Sequence, residues 1–152
     1  MPELIREPQR LMPHRPPSIL LDEVLDYGDG HASALVRVRR DSKWFDPARD
    51  GVPAWVGLEY MAQTIAVWSG HLQVRAGRPI TVAFLLGSRA YRCSVPQFAA
   101  GLDLTVSVRA LVTEPNGLGS CDCRIDGGGV EATARVSAFR PDDSRDITRL
   151  AY

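Results

Sequence analysis

The sequence predicts an α+β fold in which one antiparallel sheet wraps around one long central helix. Residues 52–74, VPAWVGLEYMAQTIAVWSGHLQV, are apolar on nearly every side and carry one formal charge, Glu59. A helix apolar all round must be covered by other elements, because surface packing needs only one apolar stripe. The second observation is that the segments flanking this run alternate apolar and polar residues, or break at turn residues, as strands do. The third is size: 152 residues, 45% of them hydrophobic, suit a single domain with its own core. That domain is expected to span residues 1–152, with a core at about 11–140 and a loose tail at 141–152.

Taken in order, residues 3–12 read as a short helix or helical turn that Pro13 ends. Residues 18–27 are an apolar run broken by acids, and Tyr27-Gly28-Asp29-Gly30 is a turn. Residues 32–39 alternate, with Ala34, Val36 and Val38 on one face, so the two runs make a hairpin. Residues 41–52 are a polar loop, after which Pro53 suits the first helical position, where a missing N–H costs nothing. The helix runs to about Arg75 and is closed by Ala76-Gly77-Arg78-Pro79. Residues 80–93 read as one long strand with Gly87 as a bulge, and residues 102–114 as another, ending at Pro115-Asn116-Gly117. Residues 120–126 and 130–140 are joined through Asp126-Gly127-Gly128-Gly129, a strong hairpin signal. Hairpin, buried helix and a meander of about four antiparallel strands together describe the hotdog fold, since one curled sheet satisfies every apolar face of the helix.

Composition excludes several function classes. Lys plus Arg and Asp plus Glu are 18 each, so the chain lacks the positive excess that nucleic-acid binding and polybasic membrane attachment require. Glu59, Gln63, His71 and Gln73 argue against the helix as a membrane span. The first residues have no apolar signal core, and three cysteines are an odd number, so a cytoplasmic location is expected. Cys121 and Cys123 lie on one face of a strand without the spacing of a metal motif, so no metal is expected. No phosphate-cradling glycine loop or nucleophile elbow is present, and no cofactor is expected.

Three strings resemble a known family, in the family's order, over roughly residues 11–139. LMPHRPPSILLDEVLDY is similar to the opening of bacterial 3-hydroxyacyl-ACP dehydratases of the FabZ type. GLEYMAQTIAVWSG looks like their central helix, and FLLGSRAYRCSVPQFAAGLDLTV resembles the strand pair that follows. PHRPP, VGLEYMAQ and LLGSRAY together look closest to the ApeP-like branch, associated with aryl polyene biosynthesis. The resemblance implies a dehydratase of fatty-acid or polyene biosynthesis, working on a 3-hydroxyacyl group carried by the phosphopantetheine of acyl carrier protein. It also implies a site built at an interface between two hotdog chains, in a homodimer or a heterodimer. One departure stands out: the position of the family's catalytic histidine, counted back from Glu59, holds Phe45, within Lys43-Trp44-Phe45-Asp46-Pro47.

Loss of water from a 3-hydroxyacyl thioester needs a base for the C2 proton, an acid for the C3 hydroxyl and a donor to the thioester oxygen. A lone carboxylate in an apolar helix marks a site, so Glu59 is the first candidate. His14 is either a structural residue positioning the N-terminal segment or a recruited replacement for the missing histidine. The free N–H groups of Ala54, Trp55 and Val56 at the helix start are the candidate donors. Gln63, one turn after Glu59 on the same face, orients the carboxylate, lines the substrate tunnel, or simply bonds a backbone carbonyl of the sheet. His31 reads as solvated and His71 as a helix-face residue too far along to serve Glu59. Arg37, Arg39, Arg40, Lys43, Arg89 and Arg92 either steer an acidic carrier protein or form ordinary solvated faces. Three activities remain open on the residues: a dehydratase, a catalytically incomplete partner subunit of a heteromeric dehydratase, and a thioesterase using the same carboxylate and amides.

Overall fold

The computed structural model describes residues 3–81, 84–114 and 118–139. Its elements are β1 (Glu23–Tyr27), β2 (His31–Arg37), β3 (Gly51–Pro53), α1 (Val56–Arg75), β4 (Phe84–Cys93), β5 (Gln97–Ala99), β6 (Asp103–Thr113), β7 (Leu118–Gly127) and β8 (Val130–Phe139). Six strands form one antiparallel sheet in the order β1-β2-β6-β7-β8-β4, and β3 pairs with β5 in a small second sheet. The helix packs across the large sheet, touching β2, β6, β7 and β8. This is the hotdog arrangement.

Local signals explain most of these elements. β7 and β8 turn on Gly128 and Gly129, both at positive φ (56° and 82°), the conformation a two-residue hairpin demands. β6 alternates with buried Leu104, Val106 and Val108 against the helix. The helix ends where Gly77 takes φ 70° and Arg78 N–H bonds the Gln73 carbonyl at 2.8 Å, satisfying a terminal acceptor.

The short helix or helical turn expected at residues 3–12 is present, as a 3₁₀ turn at Pro8–Arg10. The segment before it is drawn out against β1, because Val24 N–H bonds the Arg6 carbonyl at 2.8 Å. The structure differs from the sequence reading at three places. Pro53 is not the first helical residue: it closes β3, opposite Gln97, and the helix starts at Val56. Burial drives that pairing, since Val52 and Phe98 face each other across it and both are fully buried. The strand expected at 80–93 is described from Phe84, and Ile80 and Thr81 lie outside it. Finally, the last four long strands are not a simple meander. β4 pairs with β8 at the edge, and β6 joins the first hairpin through β2. The turn at 115–117 and the tail at 141–152 lie outside the described residues.

The N-terminal segment closes one flank of the helix. Leu11 and Met12 are fully buried, and a Cβ on Gly70 would run into the Leu11 carbonyl. Gly70→Ala is therefore expected to destabilise the fold by about 2 kcal/mol, since overpacking against backbone has no cheap relief. A thermal melt should show Tm about 5 °C lower; an unchanged Tm would mean that the segment does not sit against the helix in solution. Among the described residues, no helix is long and apolar enough to cross a membrane.

Candidate functional site

Gln63 is the organising residue of the site. It is buried to 1% exposure, and each of its polar groups is used. Its Oε1 accepts the Leu20 N–H at 2.8 Å, while its Nε2 donates to the Ser18 carbonyl at 2.8 Å and to Glu59 Oε1 at 3.0 Å. An amide offers two donors and one carbonyl, so this buried side chain is satisfied without water. The backbone that Gln63 bonds belongs to the segment ahead of β1 and not to the sheet, and the same side chain holds Glu59. The chain just before β1 is thereby fastened to the helix, one turn from Glu59.

That fastening brings His14 to Glu59. The two side chains line one small cavity of about 110 Å³, whose other walls include Ala62, Ala66, Leu85 and Ala138. One Glu59 oxygen is held by Gln63, and the other has no hydrogen-bond partner among the described residues. His14 Nδ1 is buried and likewise unpartnered among the described residues. A carboxylate oxygen without a protein partner among the described residues, at a cavity that a histidine also lines, is suited to exchanging a proton with a third molecule. The cavity ends at β4, the outer strand of the sheet, where Leu85 and Leu86 are 49% and 58% exposed.

The helix start requires a correction. Ala54 N–H is not a free donor, because it bonds the Pro96 carbonyl at 3.0 Å. The next two amides, of Trp55 and Val56, make no hydrogen bond among the described residues, and no side chain caps the helix. Of the three amides named from sequence as candidate donors, Trp55 and Val56 are the two left without a partner among the described residues. The Trp55 side chain is 56% exposed and packs edge-on against Trp44, with ring centroids 5.3 Å apart. Phe45, at the position of the family histidine, packs against the core.

The remaining sequence candidates fall away from this cavity. His71 stacks on Tyr27 with ring centroids 4.1 Å apart, and burial pushes its pKa down. His31 is more than solvated: it sits 3.2 Å from Asp26 across the β1–β2 turn. Cys121 and Cys123 are buried free thiols, with burial raising the Cys121 pKa to about 11. The basic cluster before the helix is largely neutralised, since Arg39 pairs with Asp22 at 2.6 Å and Arg40 with Asp50 at 3.0 Å. Two cations without an acidic partner among the described residues, Arg89 and Arg109, stand on the outer sheet face. There they line a broad groove of about 800 Å³ together with the Arg135–Asp122 pair.

Tyr91 was not singled out by sequence reasoning. Its hydroxyl donates to the Ala54 carbonyl, immediately before the helix, and burial pushes its pKa up. The only sequence signal was an aromatic residue two positions after Arg89, which cannot reveal where its ring points.

The ApeP-like family model, described as ApeP dehydratase, matches residues 6–149. The dehydratase heterocomplex ApeI:P from Xenorhabdus doucetiae is similar at 30% identity and TM-score 0.88, over 98% of this chain and 99% of that one. E. coli PaaI, from the phenylacetic acid degradation operon, is similar at 13% identity and TM-score 0.58, over 77% of this chain and 81% of that one. A hypothetical thioesterase with coenzyme A from Streptococcus pneumoniae is similar at 13% identity and TM-score 0.60, covering 77% and 86%. The last two share the fold alone. No curated protein matches the chain.

Proposed function

The chain belongs to the ApeP-like dehydratase family, and from that premise we propose that it removes water from a 3-hydroxyacyl thioester carried on acyl carrier protein, in fatty-acid or aryl polyene biosynthesis. The observation that carries this reading is the cavity shared by Glu59 and His14. One group takes the C2 proton, the other protonates the departing C3 hydroxyl, and the products are the trans-2-enoyl thioester and water. The Trp55 and Val56 amides, at the positive end of the helix dipole, receive the charge that develops on the thioester oxygen. Gln63 keeps one carboxylate oxygen oriented and leaves the other for the substrate.

A second reading, that this chain is the catalytically incomplete partner of a heteromeric dehydratase, is favoured by two features of the site. The cavity of about 110 Å³ is small beside the roughly 300–1,000 Å³ that a ligand with a long arm occupies. It lies beside an exposed apolar edge strand, so a second hotdog chain, as in the ApeI:P heterocomplex of X. doucetiae, would complete it. In that case Glu59 serves a site whose histidine comes from the other chain. Arg89 and Arg109 on the outer face offer an acidic carrier protein its electrostatic attraction.

The test is to supply 3-hydroxyacyl carrier protein to the purified chain, alone and with a second hotdog dehydratase chain, and to follow the enoyl product by mass spectrometry. Product from the chain alone supports the first reading, and product only with the second chain supports the partner reading. Release of free carrier thiol without enoyl product would overturn both in favour of thioester hydrolysis.

A further inference from the structure

Tyr91 reaches the helix start by an unusual path along β4. Between Arg89 and Arg92 this strand has one residue more than β8, so that Ala90 and Tyr91 together stand opposite Ala134. Ala90 takes φ 54°, a left-handed conformation rare for a residue with a Cβ and costing on the order of 1 kcal/mol. Bulges of this kind re-aim side chains. Arg89 lines the outer groove, while the Tyr91 hydroxyl turns inward to the Ala54 carbonyl. Space is reserved for it, because a Cβ on Gly57 would collide with that hydroxyl.

The Ala54 carbonyl accepts two hydrogen bonds, one from the Tyr91 hydroxyl and one from Gly57 N–H at 3.0 Å. In a planar trans peptide the C=O and the following N–H point in opposite directions. Holding the Ala54 carbonyl therefore fixes the plane that carries Trp55 N–H and turns that donor away from Tyr91. Trp55 N–H is one of the two unpartnered amides at the helix start.

We infer that Tyr91 is a positioning residue for the dehydration: by gripping the Ala54 carbonyl it aims the Trp55 N–H at the thioester oxygen. It touches neither substrate nor proton and works through one peptide plane. The inference rests on the functional reading above and deepens it. Because burial keeps the hydroxyl protonated well beyond neutrality, Tyr91 remains a donor at any working pH.

The experiment uses the active protein, with its partner chain wherever the partner is required. Tyr91→Phe keeps the ring and removes only the donor. Its kcat is expected to fall at least about fivefold with KM little changed, because misalignment of a preorganised donor is felt in the transition state. The thioester C=O stretch of a bound substrate analogue lacking the 3-hydroxyl, read by isotope-edited infrared spectroscopy, should move toward its value in water. A residue supporting packing alone would move neither quantity. Substituting 4-aminophenylalanine at position 91 restores an N–H donor at the same place and should recover both. Wild-type kcat and an unshifted carbonyl band in Tyr91→Phe would overturn the inference. Absence of enoyl product from the wild-type protein, with or without a second chain, would instead overturn the functional reading on which it rests.

Discussion

Glu59→Gln is expected to lower turnover by roughly 10²–10⁴-fold while leaving the fold unchanged, the range associated with losing a positioned acid or base. The substitution is nearly isosteric. A glutamine amide oxygen can still accept the hydrogen bond that Gln63 Nε2 gives to Glu59 Oε1 at 3.0 Å, so the N-terminal segment stays fastened. What the amide cannot do is carry a proton to or from the substrate. KM should change by less than about threefold, because an interaction made mainly in the transition state leaves ground-state binding intact. The measurement is steady-state kinetics on a 3-hydroxyacyl carrier protein, with Tm and circular dichroism as controls for folding. Turnover within threefold of wild type would remove Glu59 from the chemistry and leave it a structural partner of Gln63.

The difference between what was legible and what was not follows the range of the interactions. The β7–β8 hairpin was legible because its glycines sit where the turn needs positive φ. The long helix was legible because the run over residues 52–74 is apolar on nearly every side and carries one formal charge, and its end was written in Gly77. Pro53 misled because proline at a helix start and proline at the end of a short strand look alike locally. Only the burial of Val52 against Phe98, 46 residues away in sequence (98 − 52), decides between them. The strand order was hidden for the same reason. Nothing within residues 84–93 says that this strand pairs with β8 rather than with its sequence neighbour.

The site shows the same division. Glu59 announced itself as a charge in an apolar run, and Gln63 as its neighbour one turn on. That His14 stands at the same cavity depends on the Ser18 and Leu20 backbone being held by Gln63, a contact between segments more than 40 positions apart that no periodicity encodes. Ala54 was a reasonable donor by position, and its loss to the Pro96 carbonyl follows from the β3–β5 pairing, which that bond continues one residue further. Tyr91 needed the bulge at Ala90 to be seen at all.

His14→Ala separates the two readings of the whole protein. If His14 is half of the acid–base pair, its removal should cost roughly 10²–10³-fold in kcat, as loss of a general acid or base does. Added imidazole should then restore part of the rate, because the small cavity can admit a free ring where the side chain was. The Tm should change little, since His14 Nδ1 makes no hydrogen bond among the described residues and the segment is secured by Gln63 and by the buried Leu11 and Met12. Assayed together with a partner chain, the variant gives the contrasting result if the partner's imidazole does the work: turnover within about threefold of wild type and no response to imidazole. Glu59→Gln would remain inactive in that same mixture, because a carboxylate inside the helix is needed under either arrangement. The pair of variants thus assigns the histidine to one chain or the other, and does so without requiring the partner's structure.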